Sequence, residues 1–292
     1  MTFVTRRLVS SLIVVASVAV LLPAAAIAAD EGHHAPEITR QQWSFSGFRG
    51  QYDQAQLQRG FQVYKEVCSA CHGLSRVNFR NLVQPGGPGF PEEAVKALAA
   101  EWPNQIADGP DDEGKMFERP ARLSDPIRGP YHNQKEARAA QGGAYPPDLS
   151  LIAKARGVER NPSWWTHPFL MLGDILNSYQ EGGPDYIDAL LTGYTEPPEG
   201  VKVGDGMHYN KAFPGHQLAM PPPLQDDQIA YTDGTKPTVE NYAKDVASFL
   251  AWSADPTHDQ RKRIGWQVML YLLVTTMLLY LGKKRIWADV KH

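Results

Sequence analysis

Cys68-Ser69-Ala70-Cys71-His72 decides how the rest of this 292-residue chain is read. C-x-x-C-H is the attachment pattern of a c-type haem. One helical turn sets both thiols beside the two vinyl groups, where they form thioethers, and the adjacent imidazole is carried under the ring as the proximal iron ligand. Two other chemistries use C-x-x-C. A zinc site needs further Cys or His at ligand spacing, yet Cys68 and Cys71 are the only cysteines and no H-x3-5-H pair follows them. A thioredoxin-like dithiol expects a βαβ setting and gives no reason for a His directly after the second Cys. Chance occurrence in a cytosolic protein is the remaining alternative, so export decides, because haem is attached to C-x-x-C-H outside the cytoplasm.

The N-terminus reads as an export signal. Arg6 and Arg7 form a basic region, Leu8 to Leu22 is uncharged and apolar, Pro23 breaks the run, and Ala26-Ile27-Ala28 offers an A-x-A cleavage site. Residues 1–28 are therefore expected to be a cleaved signal peptide, the alternative being a permanent N-terminal anchor. With both cysteines committed to haem, no disulfide is expected in the oxidising compartment. A second apolar run, Ile264 to Leu281, holds no charged residue over 18 positions and as a helix spans about 27 Å, near the hydrocarbon thickness of a bilayer. Arg261-Lys262-Arg263 and Lys283-Lys284-Arg285 flank it, with Trp266, Tyr280 and Trp287 at interfacial positions. The competing reading is a buried core helix, which would show a polar stripe; here only Gln267 and two threonines interrupt the run. Both flanks are basic, so orientation follows from the haem: residues 29–260 form an extracytoplasmic domain, 261–285 an anchor, and 286–292 a cytoplasmic tail.

The net charge of −3 conceals an acidic domain, since residues 29–260 carry 20 Lys and Arg against 31 Asp and Glu. Nucleic acid is not an expected partner. Acidic residues concentrate in Asp108 to Glu113, which reads either as a surface that steers a basic partner or as a solvated loop. The 25 Gly and 23 Pro predict long irregular connections and few strands. One helix is expected from an Asp53 N-cap to Cys68, with Leu57, Phe61, Tyr64 and Val67 on one face. Gly60, beside Phe61, allows another helix to approach closely. The candidate partner begins at Thr238 and places Val239, Tyr242, Val246, Phe249 and Leu250 on a stripe. A third helix is expected from Pro184 to near Gly193.

A six-coordinate iron needs a second axial ligand. Met220 is the strongest candidate, because Met220-Pro221-Pro222-Pro223 fixes an extended backbone that holds the sulfur at low entropic cost, and a thioether raises the potential. Met171, within Phe169-Leu170-Met171-Leu172, is expected to pack instead. Met116 and Met207 lie beside charge or glycine and lack such a constraint. His208 or His216 would give a bis-His site.

The stretch from Trp43 to Gly73, WSFSGFRGQYDQAQLQRGFQVYKEVCSACHG, resembles the N-terminal part of cytochrome c1, the haem subunit of the cytochrome bc1 complex, in its bacterial type. ARAAQGGAYPPDLSLIAKAR from Ala137, GGPDYIDALLTGYTEPPEG from Gly182, FPGHQLAMPPPL from Phe213, and AKDVASFLAWSADPTHDQRKRIGWQVML from Ala243 follow in the family's order and are distributed along the chain as far as Leu270. The resemblance implies a mainly α, cytochrome c-like haem domain with long Gly/Pro-rich loops and one C-terminal transmembrane helix. It implies one covalent haem c on Cys68 and Cys71, with His72 and Met220 as axial ligands. It associates Arg138 with a haem propionate, which guanidinium binds bidentately; an exposed helix arginine is the other reading. Tyr145 is a weaker propionate candidate. The implied role is to accept one electron from a Rieske iron-sulfur protein and pass it to a cytochrome c, beside cytochrome b, in a complex dimeric by the same resemblance. The chain would not be a catalyst by itself. Its location would be the bacterial inner membrane, with the haem domain periplasmic.

Residues 157–180, GVERNPSWWTHPFLMLGDILNSYQ, look like an insertion relative to shorter mitochondrial versions. Trp164, Trp165 and Phe169 are expected to fill a local satellite core, with contact to the bilayer or another subunit as the alternative. Two other functions share features of this chain: a membrane-anchored c-type cytochrome feeding an oxidase or another respiratory complex, and a haem enzyme or gas sensor with an open iron position.

Overall fold

In the computed structural model, Asp53 caps the first helix, its carboxylate accepting from the Ala55 N–H at 3.0 Å. The structure describes residues 38–158, 163–177 and 179–290. The expected signal peptide, residues 1–28, lies outside the described residues. Helix α1, Gln54–Glu66, buries Leu57, Gly60, Phe61, Val63 and Tyr64, as the apolar spacing predicts. Its partner α7, Val239–Ala254, starts at the Thr238 cap and is buried almost continuously from Tyr242 onward. The two helices meet at Gly60, where a Cβ would stand 2.1 Å from the Asp245 carbonyl oxygen; only glycine permits this approach. Around the crossing, Phe249 lies 5.6 Å from Phe61, 5.9 Å from Tyr64 and 5.6 Å from Trp252 between ring centroids. Each such ring, fully buried, contributes about 2–3 kcal/mol. Arg59 closes the edge of the contact with a bond to Asp245 at 2.8 Å and one to Asp233 at 2.7 Å.

The remaining helices are shorter: α2 Glu92–Ala100, α3 Gln134–Ala140, α4 Ile152–Ala155, α5 His167–Asn177 and α6 Gly182–Thr192. Helix α6 begins two residues ahead of the expected start at Pro184. Pro184 thus sits in the first turn, where its missing N–H would have had no helical partner. Gly183, just before it, is also explained, since a Cβ there would overlap the Ala153 carbonyl of α4. Helices α4 and α6 both pack on α7.

The six strands described form three antiparallel pairs. Strand β1, Leu74–Asn78, pairs with β4, Pro126–Ile127; β2, Ile106–Asp108, with β3, Phe117–Arg119; and β5, His208–Tyr209, with β6, Gln217–Leu218. The β2–β3 connection carries the acidic run. There Asp108 pairs with Arg119, and the Asp111 carboxylate accepts from the N–H groups of Glu113 and Lys115, while Asp112 and Glu113 point into solvent. Part of the run is thus a structural turn and its tip is exposed charge.

Helix α8, His258–Ile286, follows α7 after a short break at Asp255. It is long and apolar enough to cross a membrane, and the apolar window is not buried against the rest of the chain. The segment before α1 straps its start: Lys262 donates to the carbonyls of Phe45 and Gly47, and Phe48 meets Trp266 edge-on at 5.8 Å.

Two expectations for the 157–180 segment fail. Trp164 is 88% exposed, Phe169 73% and Met171 51%, so among the described residues these side chains form no satellite core and Met171 does not pack. No residue of α5 is buried. The apolar composition that predicted an interior instead produces an outward-facing surface.

Candidate functional site

Helix α1 stops at Glu66, and the chain tightens at once into a 3-10 turn, Cys68–Ala70. The N–H groups of Cys71 and His72 both donate to the Cys68 carbonyl, at 3.1 and 2.9 Å. This single turn fixes the relation of the two thiols and the imidazole. Both cysteines are half-buried and unbridged. Burial pushes the Cys68 thiol up to about 12, aided by Cys71. A redox-active dithiol needs the opposite shift, so Cys68 lacks the activated thiol of such a site. Among the described residues, no cluster of three His, Cys, Asp or Glu side chains gathers to hold a cation.

His72 is oriented by a group that spacing alone does not reveal. Its Nδ1 stands 2.7 Å from the Pro147 carbonyl oxygen. A carbonyl only accepts, so Nδ1 carries the proton and the Nε2 lone pair is left to bind a metal. Desolvation lowers the imidazole below its ordinary pKa, outweighing the raising effects of the Pro147 carbonyl and Asp148, which keeps the ring in the neutral, ligating form.

The run Pro146-Pro147-Asp148-Leu149-Ser150 clamps the chain on both sides of that contact. Asp148 accepts from the Ser75 N–H at 2.8 Å, the Leu149 N–H donates to the Gly73 carbonyl at 2.9 Å, and the Ser150 hydroxyl accepts from the Arg76 N–H at 3.0 Å. Ser253 of α7 donates to the Ser150 carbonyl at 3.2 Å. The ring of His72 is therefore referenced to the helical core. On the other side, Tyr64 donates to the His72 carbonyl at 3.0 Å, and Gly73 lies against Gly129 so closely that a Cβ would come within 2.6 Å of its nitrogen.

Helix α3 is brought to the same turn. Gln141, its C-cap, donates to the Cys71 sulfur at 3.7 Å and to the Tyr131 hydroxyl at 2.6 Å. Arg138 lies one turn earlier and is exposed. It donates to the Gly143 carbonyl at 2.8 Å and lies over the Tyr145 ring at 5.8 Å, so part of its guanidinium fork holds its own loop.

Met220 belongs to a second support. Asn210 is fully buried and knots the loop ahead of it, donating to the Leu190 carbonyl at 2.8 Å while its side-chain oxygen accepts from Ala212 and Phe213. The Met220 carbonyl accepts from the Tyr194 hydroxyl at 3.0 Å. Tyr194 follows directly on α6 and Gly193, where a Cβ would crowd the Asn210 side chain at 3.0 Å. His216 turns the loop at φ 58°, stacks on Tyr209 and places Nδ1 3.1 Å from the Asn210 carbonyl. The structure thus gathers Cys68, Cys71, His72 and the α3 helix of Arg138 into one region, and hangs the half-buried Met220 from α6.

Two thiols one turn apart, a neutral imidazole presenting Nε2 and a thioether on a braced loop are the donor set of a covalently held His/Met haem. The residues present fit that group. Pro147, Gln141, Asn210 and Tyr194 are supporting groups that the motifs do not mark; three of them lie inside family-like blocks whose function no spacing rule discloses.

Comparison with known proteins bears on the same point. Residues 43–290 match the model of the Cytochrome C1 family. The chain is 46% identical to the cytochrome c1 of Blastochloris viridis over 291 residues, covering all of this chain and 99% of that one. It is 44% identical to the cytochrome c1 of Rhodospirillum rubrum, over 95% of this chain and 97% of that one. It is also 47% identical to the cytochrome b/c1 of Bradyrhizobium diazoefficiens, matching 94% of this chain but only 40% of that longer protein.

Proposed function

We propose that this chain, which belongs to the cytochrome c1 family, is the haem-bearing electron-transfer subunit of a bc1-type complex. Cys68 and Cys71 hold the haem covalently, His72 and Met220 are its axial ligands, and Arg138 offers the rest of its guanidinium to a propionate. The observation that carries this reading is the 2.7 Å contact between His72 Nδ1 and the Pro147 carbonyl, which leaves one nitrogen aimed away from the protein's own hydrogen bonds. A bound His/Met haem supplies a one-electron couple without an open coordination site. The protein's own contribution is to hold both ligand supports on the α1–α6–α7 core, so that little rearrangement accompanies a change of charge.

The electron enters from a Rieske iron-sulfur protein and leaves to a cytochrome c. Cytochrome b is the membrane partner; the relative named cytochrome b/c1 carries both names on one longer chain, which supports the pairing. Quinol chemistry belongs to those partners and not to this chain. Residues 1–28 are removed on export, 29–260 form the periplasmic domain, 261–285 anchor it in the inner membrane and 286–292 face the cytoplasm. The assembled complex is dimeric.

Gentle detergent isolation tests this directly. Co-purification with a b-type cytochrome and a Rieske protein, together with inhibitor-sensitive quinol to cytochrome c turnover, is the expected result. Recovery with a copper oxidase would replace this reading with that of a membrane-anchored cytochrome feeding an oxidase. Rapid carbon monoxide binding by the reduced native protein would remove Met220 from the iron and leave the enzyme or sensor reading.

A further inference from the structure

Helix α5 is amphipathic with its polar side turned inward. At 3.6 residues per turn, Phe169, Leu172, Ile175 and Leu176 share one arc, whereas Gly173 and Asp174 lie on the other. The second arc faces the protein: Thr166, Gly173 and Asp174 are the half-buried positions of this stretch, and Asp174 pairs with Arg40 at 3.1 Å. The first arc is open, with Leu176 75% exposed and Trp164 and Trp165 standing just ahead of it. A helix that uses its carboxylate to hold the domain and offers its leucines outward is built for an apolar surround.

The position of that arc selects the surround. Arg40 also lies 3.9 Å from the centroid of Tyr179, so the last turn of α5 and the residue two beyond it are held by the segment that runs on to Phe45. Five residues of chain span at most about 18 Å. The Phe45 carbonyl binds Lys262, two residues before the apolar run of α8 begins at Ile264. Trp43, midway along the strap, donates to Asp185 at 2.8 Å, and Asp185 accepts from Tyr179 at 2.6 Å, which ties the strap a second time to the C-terminal end of α5. An apolar helix of 11 residues is too short to span and, unburied, falls in the class of interfacial segments. Paired tryptophans are side chains of the membrane–water boundary. A protein partner would call for a polar rim around the apolar centre; among the described residues the arc itself carries no polar group apart from the indole N–H groups, with His167 and Asn177 exposed at the two ends of the helix.

We propose that α5, with Trp164 and Trp165, lies in the interfacial layer of the phospholipid bilayer beside α8, as a second, non-spanning membrane contact. This rests on α8 being the anchor. It makes the attachment two-legged and restricts how the haem domain tilts and rotates over the membrane.

Site-directed spin labels test the proposal on the full holoprotein, with the subunits that co-purify, in vesicles of phosphatidylcholine and phosphatidylglycerol. Both native cysteines carry haem in the holoprotein, so a new cysteine is the only labelling site on this chain, and the unsubstituted complex carried through the same labelling gives the background from the other subunits. Labels at Trp164→Cys, Phe169→Cys and Leu176→Cys are expected to collide several-fold more with oxygen, relative to a water-soluble nickel chelate, than a label at Asp112→Cys on the hairpin tip. Oxygen-to-nickel ratios equal to that of position 112 would put α5 in water and overturn the proposal. Immobile labels shielded from both reagents would put it under a partner subunit and overturn it equally. A label at Leu273→Cys, within the apolar run of α8, must be oxygen-rich; if it is not, the anchor assignment fails and not the α5 contact alone. Any of the three α5 positions reads the same arc, so poor accumulation of one variant leaves the measurement intact.

Discussion

At the scale of single residues, the site is governed by backbone carbonyls that hold side chains in place. Tyr194 shows the principle at the Met220 support. Tyr194→Phe removes one hydrogen bond to the Met220 carbonyl, worth about 1 kcal/mol. The expected outcome is a small fraction of reduced protein that binds carbon monoxide and a lowered midpoint potential, whereas Met220→Leu binds it fully; flash photolysis and redox titration read both. An unchanged potential in Tyr194→Phe would make that hydroxyl a bystander. Asp188 on α6 offers a residue-scale test of stability. Burial raises its carboxyl to about 6, with Asp185 and Glu240 acting in the same direction and Lys244 opposing. Its folded pKa exceeds the unfolded value near 4, so the native state holds the proton more tightly between about pH 4 and 6. Stability from this group is therefore full below about pH 4 and is lost as pH rises through 6. Asp188→Asn should be more stable than the native protein at pH 7, by on the order of 2 kcal/mol, and the advantage should vanish toward pH 4. Thermal unfolding of the holoprotein at both pH values measures the difference.

At the scale of elements, the α1–α7 crossing decides whether the haem-attachment turn has a floor. Gly60→Ala places a methyl carbon 2.1 Å from a backbone oxygen that cannot rotate away, so the helices must separate. Loss of about 3 kcal/mol is expected, read as a lowered unfolding midpoint and a mature chain with less attached haem. Serine at the same position should do no better, since the clash involves the Cβ that every other residue carries. This crossing is legible in the amino-acid order alone: Asp53, the apolar face of α1, Gly60 and the Thr238 cap are local signals, and local signals survive folding. The Cys-x-x-Cys-His turn is legible for the same reason. Three features are not. The Pro147 contact joins residues 75 positions apart through a backbone carbonyl, which every residue possesses and no side-chain pattern marks. Tyr194 reads as one more aromatic beside an apolar helix. In α5, hydrophobicity is legible but its direction is not, because the same leucines suit an interior or a bilayer until Asp174 and Arg40 show which arc faces the domain.

At the scale of the whole molecule, charge is divided by location. The domain of residues 29–260 is strongly negative, while basic collars at 261–263 and 283–285 bracket the apolar run of α8. The collars neutralise each other as orientation signals, so the proposed topology rests on export of the haem domain. In sealed inside-out vesicles, added protease is expected to trim only residues beyond the second collar and to leave the haem domain intact; digestion of the domain would reverse the assignment. The negative domain has a kinetic consequence for the proposed electron acceptor. Asp112 and Glu113 are exposed at the tip of the β2–β3 hairpin, whereas Asp108 is neutralised by Arg119 and Asp111 is committed to the turn. Asp112 and Glu113 therefore place exposed negative charge at the outermost point of the hairpin. A basic cytochrome c should be drawn in at low salt, and screening shortens the field to about 10 Å at 0.1 M. The second-order rate of electron transfer to such a partner is expected to fall about tenfold between low and physiological ionic strength. An acidic cytochrome should show the opposite slope. Asp112→Asn combined with Glu113→Gln separates the tip from the rest of the surface: a flattened salt dependence makes the hairpin the docking element, and an unchanged one moves docking to another part of the acidic face. A rate independent of salt in the native protein would show that encounter is set by apolar contact, and the acidic excess would then serve solubility alone.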